Sequence, residues 1–163
     1  MFTPPATCDD LRRALPRRIA ARVVARRRER GRRVAITLDT ATTSVPAAAR
    51  RFVREAAQEW QLPSAQADDL VLIVSELATN ALIHTRTSTV TVVVACLPGA
   101  VVVSVTDRGP HKPLAVPAAD NRAEHGRGLH IVDALSQRWG HARTGTGTRV
   151  WARVAVSCRG GAA

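Results

Sequence analysis

Lysine is almost missing from this chain: Lys112 is the only one among 24 basic residues, and tyrosine does not occur. Arginine stands in its place nearly everywhere, so an individual arginine is weak evidence for a selected bidentate contact. Aromatic residues are 3% of the chain, too few for a face that reads RNA bases in sequence. Cys8, Cys96 and Cys158 are odd in number and far apart, with no Cys-x-x-Cys pair. That pattern supports neither a disulfide framework nor a zinc site, and it points to a reducing cytoplasm. No apolar run is long enough to span a bilayer, and no uninterrupted apolar core of a signal peptide opens the chain. A soluble cytoplasmic protein with no membrane partner is expected. A Gly-Lys-Thr sequence is lacking, which excludes the Walker phosphate loop, and Gly126-x-Gly128 has no third glycine for a dinucleotide fingerprint. No Ser or Cys stands with His and Asp at a spacing that suggests a hydrolase nucleophile.

What is present fits one domain. The 163 residues are 45% hydrophobic, an ordinary core for that length. The formal charge of +11 is concentrated: Met1 to Arg33 holds eleven arginines against Asp9, Asp10 and Glu29, leaving only +3 for the rest. The chain therefore divides into an arginine-rich arm (1–33), a folded body (34–156) and a short tail (157–163).

Periodicity places the elements. About Asp9 to Arg33 reads as a helix-compatible basic segment, with Leu11, Leu15, Ile19 and Val23 every four residues. Val34 to Leu38 reads as a short strand. Pro46 suits the first turn of a helix that runs towards Pro63. Ser64 can cap a second helix, about Ala65 to His84, which puts Val71, Val74, Ala78 and Ala81 on a buried stripe and Glu76, Asn80 and His84 on its neighbour. Val90 to Leu97 and Ala100 to Thr106 form a hairpin around Pro98-Gly99. A proline-rich loop reaches His125, a helix runs from Gly126 to Leu135, and Arg138 to Ala142 with Arg149 to Val156 make a last hairpin with Trp139 and Trp151 in its core. This order describes an α+β sandwich, helices on one face of a mixed, largely antiparallel sheet. Tight connections between the central strands exclude a doubly wound domain.

Glu76 and Asn80 are four residues apart, so a carboxylate and an amide oxygen share a helix face within an apolar run. A buried carboxylate needs a partner. Magnesium takes oxygen ligands, few of them from protein, together with phosphates and water. Backbone N–H groups at Gly126 and Gly128 suit those phosphates. Asp107 ends an apolar strand and can accept a hydrogen bond from an exocyclic amine, although the same residue also suits the first position of a turn. His84 reads equally as a helix-end histidine, and Thr148 as an ordinary strand threonine.

Taken together the motifs resemble the GHKL superfamily, whose ATP-binding domain is the Bergerat sandwich, and within it the small bacterial anti-sigma-factor serine kinases of the RsbW and SpoIIAB type. The run from Glu76 to His84 is similar to the N box, Asp107-Arg108-Gly109 to the first glycine box, the run from Gly126 to Val132 to the second, and that from Gly147 to Trp151 to the closing threonine motif. The resemblance covers about Val34 to Val156. It implies that Asn80 ligates magnesium and that Glu76 is the general base accepting the proton of an attacking hydroxyl. It further implies that Asp107, with Gly109, recognises the adenine amine and that Thr148 supports that pocket. His84 would approach the phosphates, to which Gly126, Gly128 and Leu129 present N–H groups, and Pro110 to His125 would be the nucleotide lid. The implied function is transfer of the γ-phosphoryl group of ATP to a serine of an anti-sigma-factor antagonist, thereby controlling a sigma factor; a homodimer is also implied.

One departure is His111, preceded by Pro110, where the first glycine box normally has a second glycine. It keeps open a noncatalytic nucleotide- or partner-binding module. A third reading, nonspecific nucleic-acid binding through the arm, would be marked by steep salt dependence.

Overall fold

The computed structural model describes residues 22–28, 31–41, 43–85, 87–109, 127–145 and 147–156. Its elements are β1 (Arg22–Arg28), β2 (Gly31–Asp39), α1 (Val45–Glu59), α2 (Ser64–His84), β3 (Thr89–Leu97), β4 (Ala100–Asp107), α3 (Arg127–Leu135), β5 (Arg138–Thr144) and β6 (Gly147–Ala155). The strands form one sheet in the order β1-β2-β3-β4-β6-β5, and every described pairing is antiparallel. This is the expected α+β sandwich.

Alternation along the strands explains the layering. Val34, Ile36 and Leu38 of β2, Val90, Val92 and Val94 of β3, Val101, Val103 and Val105 of β4, and Val150, Ala152 and Val154 of β6 all face one side and are buried. The β-branched side chains fit a pleated surface, and burying each Val, Leu or Ile contributes roughly 1.5–3 kcal/mol. Against this side lie α1, through Phe52, Val53 and Ala56, and α2, through Leu70, Ile73, Val74 and Leu77. Pro98 presets the first turn position of the central hairpin and Gly99 takes φ 73°, the sequence signature of a type II turn.

Several local expectations are corrected. Within the arm, Arg22–Arg28 is an edge strand paired with β2, so the sheet begins well before Val34; Asp9 to Ala21 lie outside the described residues. Val23-Val24 beside an open strand edge gains ladder hydrogen bonds that the four-residue helical period does not offer. Ser64 does not cap α2 but begins it: Pro63 holds the cap position without a side-chain bond. Trp139 packs against the core, whereas Trp151 does not, because the β6 alternation that buries Val150 and Ala152 turns it to the other face. Cys96, on the inner side of β3, is disulfide-bonded. Spacing along a chain cannot reveal a pairing made by tertiary approach. Among the described residues no helix is long and apolar enough to cross a membrane.

Candidate functional site

The motif residues gather at the end of the sandwich where α2 finishes and β4 ends. Glu76 and Asn80 are half-buried on α2, on the stripe next to buried Leu77, Ala78 and Ala81. The first turn of α3 reaches them: a Cβ added at Gly128 would lie 2.6 Å from Oε2 of Glu76 and 3.7 Å from Nδ2 of Asn80. Only glycine permits this approach. A helix's first N–H groups have no intrahelical acceptor, and the start of α3 lies beside a carboxylate and an amide.

Asp107 is buried at the end of β4, 5% exposed. Its Oδ1 accepts a hydrogen bond from the Gly109 N–H at 2.9 Å. The turn that follows is held to the segment after α2. The Arg108 N–H donates to Thr87 Oγ1 at 3.1 Å, and Thr87 Oγ1 donates to the Thr89 carbonyl at 2.6 Å. Thr40 Oγ1 reaches the Thr87 carbonyl at 2.8 Å, adding the end of β2 to the same cluster. Thr85, whose hydroxyl donates to the Ala81 carbonyl, lies where a side chain on Gly109 would be.

The fourth segment closes from β6. Register sets Thr106 opposite Arg149, which carries Thr148 to the side of Asp107; both face inward, and Thr148 is 3% exposed. A side chain on Gly147 would meet the Asp107 carbonyl and the Arg108 backbone. Contacts thus run without a break from Gly128 through Glu76 and Asn80, along α2 to Thr85, and on to Gly109, Asp107 and Gly147. Leu129, 6% exposed, packs just after Gly128. The side chain of His84, and Gly126, His111 and the segment from Pro110 to His125, lie outside the described residues.

The arrangement combines a buried acceptor at the strand end with a carboxylate and an amide beside a helix start. That pairing suits a ligand with an amine at one end and phosphates at the other. Among the described residues no group of three or more His, Cys, Asp or Glu side chains is placed to hold a metal ion. The hydroxyls that anchor the turn, Thr85, Thr87 and Thr40, went unread in the sequence. Their signal is the run Thr85-Arg86-Thr87-Ser88-Thr89, five residues of which four carry hydroxyls.

The family profile for the histidine kinase-like ATPase domain matches residues 38–154. A comparison with individually characterised proteins finds no match. The profile spans β2 to β6 and all four motif segments, more than half of the chain, and the chain therefore belongs to the histidine kinase-like ATPase domain family as an ATP-binding domain of the GHKL type.

Proposed function

We propose that this protein is a cytoplasmic anti-sigma-factor serine kinase, which transfers the γ-phosphoryl group of ATP to a serine of an antagonist protein and so governs a sigma factor. The observation that carries the reading is the approach of Gly128 to Glu76 and Asn80, which brings a carboxylate to the start of α3. Glu76 accepts the proton of the serine hydroxyl, the serine oxygen bonds to the γ-phosphorus, and the bond to the β,γ-bridging oxygen breaks to release ADP. Such a reaction depends chiefly on positioning and charge stabilisation. Asp107, supported by Gly109 and Thr148, receives the adenine amine; Gly126, Gly128, Leu129 and His84 serve the phosphates.

Magnesium fits this donor set. It needs few protein ligands when phosphates supply the rest, and the half-buried Asn80 amide stands beside the start of α3. Asn80 would hold the ion, which supplies neutralisation of phosphate charge.

Replacing Glu76 by Gln tests the reading, since the amide keeps size and hydrogen bonding but cannot take the proton. Expected is a folded variant that still binds ATP and magnesium and phosphorylates the antagonist about 10²–10⁴-fold more slowly in single turnover. A parent protein that binds ATP but modifies no serine, with the Glu76→Gln variant regulating its sigma factor equally well, would establish the noncatalytic module instead.

A further inference from the structure

The sheet has a second face, and its charge is one-sided. On β2 to β6 the only acidic residues are Asp39 and Asp107; Asp107 points inward, and Asp39 lies at the very end of β2 with Oδ1 engaged by the Ala41 N–H. The remaining acidic residues of the described body belong to the helices. On the last two strands the alternation puts Arg149, Trp151 and Arg153 on the outer face, with both arginines exposed and Trp151 half-buried. Across β5, exposed Arg138 stands opposite Arg153 and Gly140 opposite Trp151. A Cβ on Gly140 would lie 3.0 Å from Cζ2 of Trp151 and 3.4 Å from its Nε1, so the indole extends over the glycine and rests on the sheet. Among the described residues no helix covers this side.

Arginines directly opposite on neighbouring strands repel one another, and a bound anion removes that cost. A second copy presenting the same basic face is disfavoured for the same reason. Arg149 and Arg153 flank Trp151 two residues away on either side, roughly 7 Å each at strand rise. That is an aromatic platform between two phosphate-binding groups, the combination by which sequence-independent single-strand binders hold a base and its backbone. An indole laid on the sheet offers its ring for stacking more readily than it offers a knob for a protein pocket. We infer that the outer face of β5 and β6 binds single-stranded nucleic acid, Trp151 stacking on a base and Arg149, Arg153 and Arg138 taking the phosphates. This site is separate from the nucleotide end and independent of the kinase reading.

The test uses the full chain and a fluorescein-labelled oligothymidylate of about 12 nucleotides, followed by anisotropy across a salt series. The arm's arginines add a background of attraction for phosphate, so the readouts are those that only Trp151 and its neighbours move. Oligothymidylate is expected to bind several-fold more tightly than an abasic oligomer of equal length. Trp151→Ala should weaken it about ten-fold, while Trp151→Phe keeps most of the affinity. The pair Arg149→Gln and Arg153→Gln should lower the slope of log affinity against log salt by about 1.4, some 0.7 for each phosphate left without its arginine. Equal binding of the abasic oligomer overturns the inference even if Trp151→Ala does not fold. So does a polyglutamate peptide whose binding depends on Arg149 and Arg153 but not on Trp151, which would assign the face to an acidic protein surface.

Discussion

Among the described residues, the unfavourable local features at the nucleotide end differ in kind from those at the C-terminus of α1. At the nucleotide end, Gly109, Gly128 and Gly147 each lack a side chain where another motif lies against them, and Asp107 is a buried carboxylate. At the end of α1, the Leu62 N–H donates to the Ala57 carbonyl and the Gln61 N–H to the Gln58 carbonyl. That is a Schellman closure in which Gln61 holds φ 52°, a conformation glycine normally fills. One turn away, Oε2 of Glu59 is buried with no hydrogen-bond partner. The first set joins the four motif segments of the ATP-binding domain. The second joins none of them, so replacing its members should stabilise the protein without touching nucleotide binding.

The contrast between the two regions is broken most severely at the glycines. At Gly147 the added methyl of Gly147→Ala meets main chain, which cannot turn aside, and a loss of about 3 kcal/mol in unfolding free energy is expected, read from urea denaturation. At Gly128 the nearest atom is the end of the Glu76 side chain, which can move. Gly128→Ala should therefore stay folded, helped by alanine's helix propensity, while phosphoryl transfer falls about 10²-fold as the carboxylate is displaced. Similar losses of stability in both variants would count against the distinction.

Next in size is Asp107→Asn. Its Oδ1 can still accept from Gly109, so the turn should survive, but one acceptor becomes a donor against the adenine amine. Affinity for ATP should drop by about 1.5–3 kcal/mol, ten-fold or more, by calorimetry. Equal affinity of the parent protein for ATP and GTP would remove Asp107 from the adenine role.

The α1 end should respond in the opposite direction. Gln61→Gly relieves a left-handed conformation and should add about 0.5–1 kcal/mol of stability with ATP affinity unchanged. A loss of stability would mean that the Gln61 side chain, not the backbone, matters there. Glu59→Gln should have the smallest effect. Burial raises the Glu59 carboxyl above its usual range, and the nearby Arg32 guanidinium only partly opposes this. Below the ordinary carboxylate range both folded and unfolded chains are protonated there and the substitution changes little. As pH rises through the elevated folded value, the buried group must ionise and stability is lost. Glu59→Gln should thus be more stable than the parent near about pH 7 and equal to it near about pH 3, as seen in the urea midpoint. A gain that persists in acid would refute the ionisation account.

Much of the fold was legible because it depends on local periodicity. Alternating Val and Thr in β3 and β4, Pro98-Gly99 between them, and the apolar spacing from Leu70 to Ala81 each specify an element through the chain's own geometry. The arm resisted such reading, since Val23-Val24 is compatible with helix or strand and only the free edge of β2 decided between them. At the candidate site, Glu76, Asn80, Asp107 and Thr148 could be picked out in the sequence because together they resemble a family's motifs. What joined them was not legible, for Gly128 against Glu76, Gly147 against the Asp107 backbone, and Thr87 beneath Arg108 are approaches between segments 21 to 52 residues apart.

By itself the sequence determined the order of elements from β2 onward and the inward side of β3 and β4, because each follows from residue type and a period of two or 3.6. Only the tertiary structure decided which residues touch, that Cys96 is bonded, that Trp151 lies across Gly140, and that Arg138, Arg149 and Arg153 share one face of the sheet. These depend on strand register and on the packing of helix against sheet, and neither is written in the spacing of any single segment.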